Sequence, residues 1–203
     1  TISGVVEVAR ENDLAVHMDG ARLLNAVVAS GTPASDYTAH CDSAWLDLSK
    51  GLGCPVGGVL AGSAAFIDEA WIWKYRFGGG MRQSGILAAA GLYALAHNID
   101  ELRTDHDNAK RFAERVAEIP GVRLVFDEVP TNLVFFDVSG TGLTAHTVAE
   151  KLLAKGVRIG VETDARMRAV THLDVSRENI DEAADILGAL IKSEGGGSAA
   201  AAE

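Results

Sequence analysis

Residues 43–61, SAWLDLSKGLGCPVGGVLA, decide the fold, because two short apolar runs, Ser43 to Leu48 and Gly57 to Ala61, flank a glycine-rich turn, Ser49-Lys50-Gly51-Leu52-Gly53. Each run has the length and the bounding turn residues of a strand. Towards the N-terminus, Leu14 to Met18 reads as a further short strand that ends at Asp19-Gly20. A helix over Ser3 to Asn12, with Val5, Val6 and Ala9 at helical spacing, leads into it and breaks at Asn12-Asp13. Ala21 to Ala29 is helix-like and stops at Gly31. Towards the C-terminus comes a helix over Ala64 to Arg76, then the turn Gly78 to Gly80, then a long apolar helix from Gln83 to about Asn98. The near-continuous apolar character of that last helix predicts burial in a core. Strands alternating with helices predict an α/β fold around a mostly parallel sheet.

From Leu102 the pattern changes. An amphipathic helix runs to Glu118, and strands follow near Val122 to Phe126 and Leu133 to Val138. A helix over Thr144 to Lys155 precedes strands near Val157 to Gly160 and Met167 to Leu173. The final helix starts at Arg177, after Ser176 as N-cap with Glu178 and Asn179 in its first turn. The expected organisation is therefore an α/β part over residues 1–101, a small α+β domain over residues 102–193, and a linker or tag over residues 194–203, whose GGGSAAAAE composition sets it apart.

Apolar residues make up 48% of the 203 and charged residues 23%, a globular rather than a disordered composition. The net charge of -10, with no basic cluster as a local exception, argues against nucleic acid or a membrane surface as a partner. The longest apolar stretch, Gly85 to Ala96, is too short to span a bilayer. Cys41 and Cys54 have neither a CxxC nor a metal-type spacing, so a reducing cytoplasm is the expected compartment. The start at Thr1 shows neither an initiator Met nor a signal pattern, and suggests a cut or processed beginning.

Asp19 closes one strand and Lys50 lies just past the end of a later one. Open α/β sheets place ligands at the carboxyl ends of their strands, so both side chains can reach one crevice. A carboxylate facing a pyridine nitrogen keeps it protonated and makes a pyridoxal cofactor an electron sink, and a lysine beside it forms the imine. Taken singly, an Asp after a strand is ordinarily a helix N-cap, and a Lys beside glycines a solvated turn residue.

Four stretches in one order outweigh that ordinary reading: HMDGARLLNA from His17, LDLSKGLGCPVGGVLAGS from Leu46, GGGMRQSGILAAAGLYAL from Gly78, and RAVTHLDVSRENI from Arg168. From about Val5 to Ile191 the chain resembles the low-specificity L-threonine aldolases of the β-eliminating lyase group, which are fold type I pyridoxal-phosphate enzymes. The resemblance implies a C-terminal part of the large cofactor-binding domain followed by the small domain. It matches Asp19 to the partner of the pyridine nitrogen and Lys50 to the Schiff-base lysine. Arg22 matches an arginine near the cofactor's phenolic oxygen and the substrate carboxylate, and Arg168 the second carboxylate-binding arginine, a role that suits a planar bidentate guanidinium. Arg82 matches an arginine that reaches the cofactor phosphate across a subunit interface, and Ser49 a hydroxyl that can reach the same phosphate.

His17 shares strand parity with Asp19 and reads as a supporting or core group, and His172 as a partner within the Arg168 segment. His40, His97, His106 and His146 fall on segments that read as loop or helix surface, and no His/Cys/Asp grouping has metal-ligand spacing. Where the family often has Arg-Lys before the glycine turn, this chain has Trp73-Lys74-Tyr75-Arg76, a departure that favours aromatic β-hydroxy amino acids. The ring-stacking histidine and the glycine-rich phosphate turn of the family have no counterpart before Asp19. The expected activity is pyridoxal 5'-phosphate-dependent cleavage of a β-hydroxy-α-amino acid to glycine and an aldehyde, in a homo-oligomer of dimer or tetramer size. The alternatives are an incomplete chain that needs an N-terminal partner, and another lyase, racemase or transaminase on the same scaffold.

Overall fold

The computed structural model describes residues 2–195. The linker expected at 194–203 lies outside the described residues from 196 onwards. The chain divides into two compact units, Thr1–Leu102 and Arg103–Glu203.

In the first unit the elements run α1 (Ile2–Glu11), β1 (His17–Gly20), α2 (Leu23–Ser30), α3 (Ala34–Thr38), β2 (Ser43–Asp47), β3 (Gly58–Gly62), α4 (Ala64–Arg76) and α5 (Gly85–His97). The strand order is β1-β2-β3. β1 and β2 are parallel, with Asp19 opposite Trp45, whereas β2 and β3 are antiparallel, with Trp45 opposite Leu60. The short connection from β2 to β3 cannot carry a crossover, so β3 must return antiparallel.

β1 starts at His17 rather than at Leu14 because Asp42 ties up the backbone before it. Asp42 accepts from the Val16 N–H at 2.7 Å and from both terminal nitrogens of Arg10, at 2.9 and 3.0 Å. The Arg10 hydrogen bonds, followed by that of Val16, hold the Asp42 carboxyl below its ordinary pKa. α4 begins where Ser63 Oγ accepts from Phe66 N–H at 3.2 Å, an N-cap that coincides with the boundary expected from the sequence.

The core of this unit is Leu48, Leu52, Cys54 and Ala94, with Leu24, Leu46 and Ile99 against it. α5 does not take the buried position its composition suggests. Only Gly91 and Ala94 are buried, while Ile86 is 81% and Leu92 71% exposed. A helix that is apolar all round gives no phase to its periodicity, so the sequence could not indicate which face, if any, packs within this chain.

The second unit continues with α6 (Leu102–Ala117), β4 (Arg123–Leu124), β5 (Leu133–Asp137), α7 (Ala145–Leu153), β6 (Gly160–Val161), β7 (Arg166–Val170) and α8 (Arg177–Glu194). Its sheet has the order β4-β5-β7-β6 and is antiparallel throughout. β5 and β7 alternate, with Val134, Phe136, Met167 and Ala169 turned into the core beside Phe112, Val116, Val148, Leu152 and Leu187. Phe112 and Phe136 meet edge to face at 6.0 Å. α8 opens with the N-cap expected at Ser176, and the cap is reciprocal: Ser176 Oγ accepts from Asn179 N–H at 3.3 Å while its own N–H donates to Asn179 Oδ1 at 3.1 Å.

His106, assigned to a surface by the sequence pattern, is buried at 4% exposure, and burial lowers its pKa. Asp105 and Asn108 are buried with it, so the inward stripe of α6 carries polar groups that a search for apolar periodicity counts as solvent-facing. Asp105 and Asn108 bond to the segment that joins β7 to α8: Thr171 Oγ1 donates to the Asp105 carbonyl at 2.6 Å, and Asn108 Nδ2 to the Val175 carbonyl at 3.1 Å.

Phe136→Ala is expected to destabilise this unit by about 3–5 kcal/mol, the cost of emptying a well-packed aromatic site, read as a lower urea midpoint. Asp181 joins α8 to α6 through Arg111 at 2.6 Å and Arg115 at 3.0 Å. The Arg111 hydrogen bond, set against burial and helped by Arg115, lowers its pKa to about 2. A carboxyl depressed on folding adds stability above its unfolded value and loses it as pH falls through the folded one. The loss of urea stability in Asp181→Asn should therefore be full at pH 6 and vanish progressively from about pH 4 towards pH 2.

Candidate active site

Gly20 is where the site begins. A Cβ at this position would stand 2.0 Å from the Trp45 carbonyl oxygen, so only glycine lets β1 and β2 come together here. Parallel pairing then puts the ends of both strands on one edge of the sheet. That edge gathers Asp19, Arg22, Ser49 and Lys50. Asp19 is exposed, and its Oδ1 accepts from Ala21 N–H at 3.0 Å, which fixes the carboxylate over the start of the next turn. Arg22 is the N-cap residue of α2 and is partly buried.

β2 ends on Asp47, which is 8% exposed. Its Oδ1 accepts from both the N–H and the hydroxyl of Ser49, each at 2.7 Å, and its Oδ2 lies 3.0 Å from Lys50 Nζ. Burial works to raise the Asp47 pKa but is outweighed by the Ser49 hydroxyl, the Ser49 N–H and Lys50, so the carboxyl sits below its ordinary value. The Lys50 ammonium also lies 5.5 Å from the centre of the Trp45 ring, and its side chain is 41% exposed. Gly51 allows the turn to close on Asn25, since a Cβ there would meet Leu102 at 2.8 Å and Asn25 Oδ1 at 3.1 Å. A small cavity beneath the turn is lined by Arg22, Asn25, Asp47 and Gly51.

Asp47 was not singled out from the sequence. The available signal was an acidic residue inside an otherwise apolar strand, three positions before the lysine. His17 Nδ1 is 2.8 Å from Ser43 Oγ, a contact between β1 and β2 on the face shared with Asp19. Cys54, buried beside the turn, has its thiol pKa raised by burial.

Arg82 stands elsewhere in this unit, exposed in the loop between α4 and α5, next to Gln83, which adopts φ 51°. Tyr75 is 67% exposed, stacked on Trp71 at 6.0 Å. In the second unit, Arg168 occupies the middle of β7, opposite Phe135 of β5 and Gly160 of β6, on the face turned away from the core. His172 lies past the end of β7, its Nδ1 at 3.3 Å from the Asp174 N–H. Among the described residues no group of His, Cys, Asp and Glu could hold a metal ion, and no helix is long and apolar enough to cross a membrane.

A family model described as beta-eliminating lyase matches residues 1–139, and the chain belongs to that family. Within it, the chain is 47% identical over 178 residues to the low specificity L-threonine aldolase of Escherichia coli strain K12, covering 88% of this chain and 51% of that protein. It is 39% identical over 177 residues to low-specificity L-threonine aldolase 1 of Arabidopsis thaliana, covering 87% of this chain and 49% of the relative. The chain thus spans about half the length of the curated relatives it matches. The fold matches that of Leishmania major threonine aldolase with a TM-score of 0.69 at 17% identity, over 94% of this chain and 56% of that one. It also matches Rhodiola rosea 4-hydroxyphenylacetaldehyde synthase with a TM-score of 0.71 at 20% identity, over 96% and 46% of the two chains.

Gly20→Ala should force β1 and β2 apart. The expected result is amide hydrogen exchange faster by about tenfold or more across Ser43–Asp47, with exchange in β5 and β7 unchanged. Unaltered protection in β2 would show that the strands tolerate the added methyl group.

Proposed function

We propose that this chain carries the lysine-bearing part of a pyridoxal 5'-phosphate site that cleaves β-hydroxy-α-amino acids of the threonine, allo-threonine or phenylserine type to glycine and an aldehyde. The observation that carries this reading is the placement of Lys50 and Asp19 at one edge of adjacent parallel strands, in a chain of the beta-eliminating lyase family. The donor set fits the cofactor: an accessible amine, a carboxylate on the neighbouring strand, and a hydroxyl and a guanidinium beside them.

In this reading Lys50 holds the cofactor through its aldehyde carbon and Asp19 faces the ring nitrogen. Ser49 and Arg82 serve the phosphate, and Arg22 lies near the ring oxygen and the substrate carboxylate. Arg168, on the open face of β7, grips the carboxylate and fixes the orientation of the amino acid, as a fork of two parallel N–H donors does. When bound, the cofactor supplies the electron sink for the pair left on the α-carbon as the α–β bond breaks. Asp19 keeps that sink effective by holding a proton on the ring nitrogen. A fixed carboxylate contact turns one α-substituent out of reach and sets which bond lies in line to break.

The unit around Lys50 exposes Val59, Leu60, Trp71, Ile72, Trp73, Phe77, Ile86 and Leu92 on β3, α4 and α5. Apolar surface on this scale supports a working form assembled against more protein, either as a homo-oligomer or with an N-terminal partner chain. Residues 1–101 then serve as part of the cofactor domain and 102–193 as the small domain. Free Cys41 and Cys54 suit a cytoplasmic setting. Another lyase or a transaminase on the same scaffold would share Lys50 and Asp19, and product analysis separates the two: glycine with acetaldehyde from threonine supports the aldolase.

The test is to incubate the full chain with pyridoxal phosphate, reduce with borohydride and locate the phosphopyridoxyl group by mass spectrometry. Lys50 should carry it at low cofactor concentration, and Lys50→Ala should lose both this label and the visible absorbance. A label spread evenly over exposed lysines such as Lys74, Lys110 and Lys155 would overturn the assignment.

A further inference from the structure

Arg168 does not stand alone on the open face of β7. Antiparallel register sets it opposite Phe135 on one side and Gly160 on the other, and opposed residues on one face stand about 5 Å apart at their Cβ atoms. Phe135 is anchored from the strand beyond it: the Val125 N–H donates to the Phe135 carbonyl at 2.9 Å, and the Phe126 ring meets the Phe135 ring edge to face at 5.6 Å. Leu133 and Val170, the next opposed pair along this face, extend the apolar surface. On the other flank, a Cβ at Gly160 would meet nothing nearer than the Arg168 carbonyl at 3.4 Å, so room is left beside the arginine. Arg166 differs, since its row holds Asp137, with Arg123 beyond it. Arg168 has no acid in its row, and among the described residues it makes neither an ion pair nor a side-chain hydrogen bond.

We infer that Phe135, backed by Phe126, receives the aryl group of a substrate whose carboxylate Arg168 grips, and so favours β-hydroxy amino acids of the phenylserine type over threonine. This rests on the proposed function, in which Arg168 takes the carboxylate, and adds the residue that recognises the side chain. An unpaired guanidinium set among apolar side chains suits a ligand that brings a carboxylate and an apolar group together. In phenylserine only the α- and β-carbons separate the carboxylate from the ring, a span that suits an arginine and a phenylalanine opposed across neighbouring strands. Threonine offers a methyl group in place of that ring and covers far less of Phe135. A ring-on-ring contact adds to the burial, and because Phe126 already fixes the Phe135 ring, little order has to be imposed on binding. Tyr75, from which an aromatic preference was expected, lies in the first unit, stacked on Trp71, and has no part in this contact.

The test uses the full chain without cofactor and two inert carboxylates, 3-phenylpropanoate, whose ring stands as far from its carboxylate as that of phenylserine, and propanoate, which lacks the ring. Each is titrated while the backbone amide resonances of β5 and β7 are followed by nuclear magnetic resonance. 3-Phenylpropanoate should bind about fivefold more tightly than propanoate, the scale of one aromatic contact, with its shifts centred on Phe135 and Arg168. Phe135→Leu, which keeps an apolar side chain but removes the ring, should bring the two affinities to within about twofold while leaving that of propanoate unchanged. Arg168→Gln should abolish the shifts from both.

Equal affinities in the unsubstituted chain, or a preference for the ring that persists in Phe135→Leu, would overturn the inference while leaving Arg168 as the carboxylate grip. Shifts from either probe that survive Arg168→Gln, or no shift at these amides from either probe, would overturn the Arg168 reading and the inference with it. Should Phe135→Leu lose its circular dichroism signature, Phe126→Ala, at a position 58% exposed, carries the same expectation and the same refutation. The assignment of Lys50 is decided separately, by the site of the phosphopyridoxyl label.

Discussion

The approach of Gly20 to the carbonyl of Trp45 governs what the first unit can do. Two parallel strands paired at this point place their last residues side by side, and the chain leaves each strand through a tight turn carrying polar groups. Asp19 and Lys50 are thirty-one positions apart in sequence, yet the Asp19–Trp45 pairing brings the strand ends that carry them to one edge. Any side chain at position 20 would separate the strands before it altered any contact of the site itself.

The Asp47 carboxylate extends the same logic by one residue. A strand that ends on a buried acid must find donors for it, and the turn supplies them from Ser49 and Lys50. Glycines at 51 and 53 let the chain curl back within this distance, Gly53 with φ 71° and Gly51 against Asn25 and Leu102. The turn is thereby held by electrostatics where the small core of Leu48, Leu52, Cys54 and Ala94 has little apolar area to offer. The second unit is built on the opposite balance, with a continuous apolar core between an antiparallel sheet and its helices, and ion pairs such as Asp181 with Arg111 at the rim.

Much of the fold was legible because local signals agreed with the final structure. Ser176 caps its helix where the pattern placed it, and Ala64–Arg76 has the expected bounds. The less legible parts share a cause. β1 begins late because Asp42 reaches back from a distant position to bind Val16, a contact no local window contains. His106 is buried on a stretch of α6 whose neighbours Asp105 and Asn108 are bonded to Thr171 and Val175, residues of the segment between β7 and α8 and far off in sequence. The exposure of α5 was not legible because an all-apolar helix carries no phase information.

By itself, the sequence determined the chemistry available at the site and its local geometry: an acid after one strand, a lysine in a glycine turn after another, and arginines in four ordered stretches. These follow from residue type and short-range backbone preference, which are properties of neighbours along the chain. Only the tertiary structure decided that β1 pairs with β2 against the Trp45 carbonyl, that Asp42 takes up Arg10 and the Val16 N–H, and that Arg168 lies on the open face of its sheet. Those outcomes depend on which strand pairs with which and on what the Asp42 carboxylate finds within 3.0 Å. Both are settled by contacts between residues far apart in the chain, where periodicity and propensity carry no information.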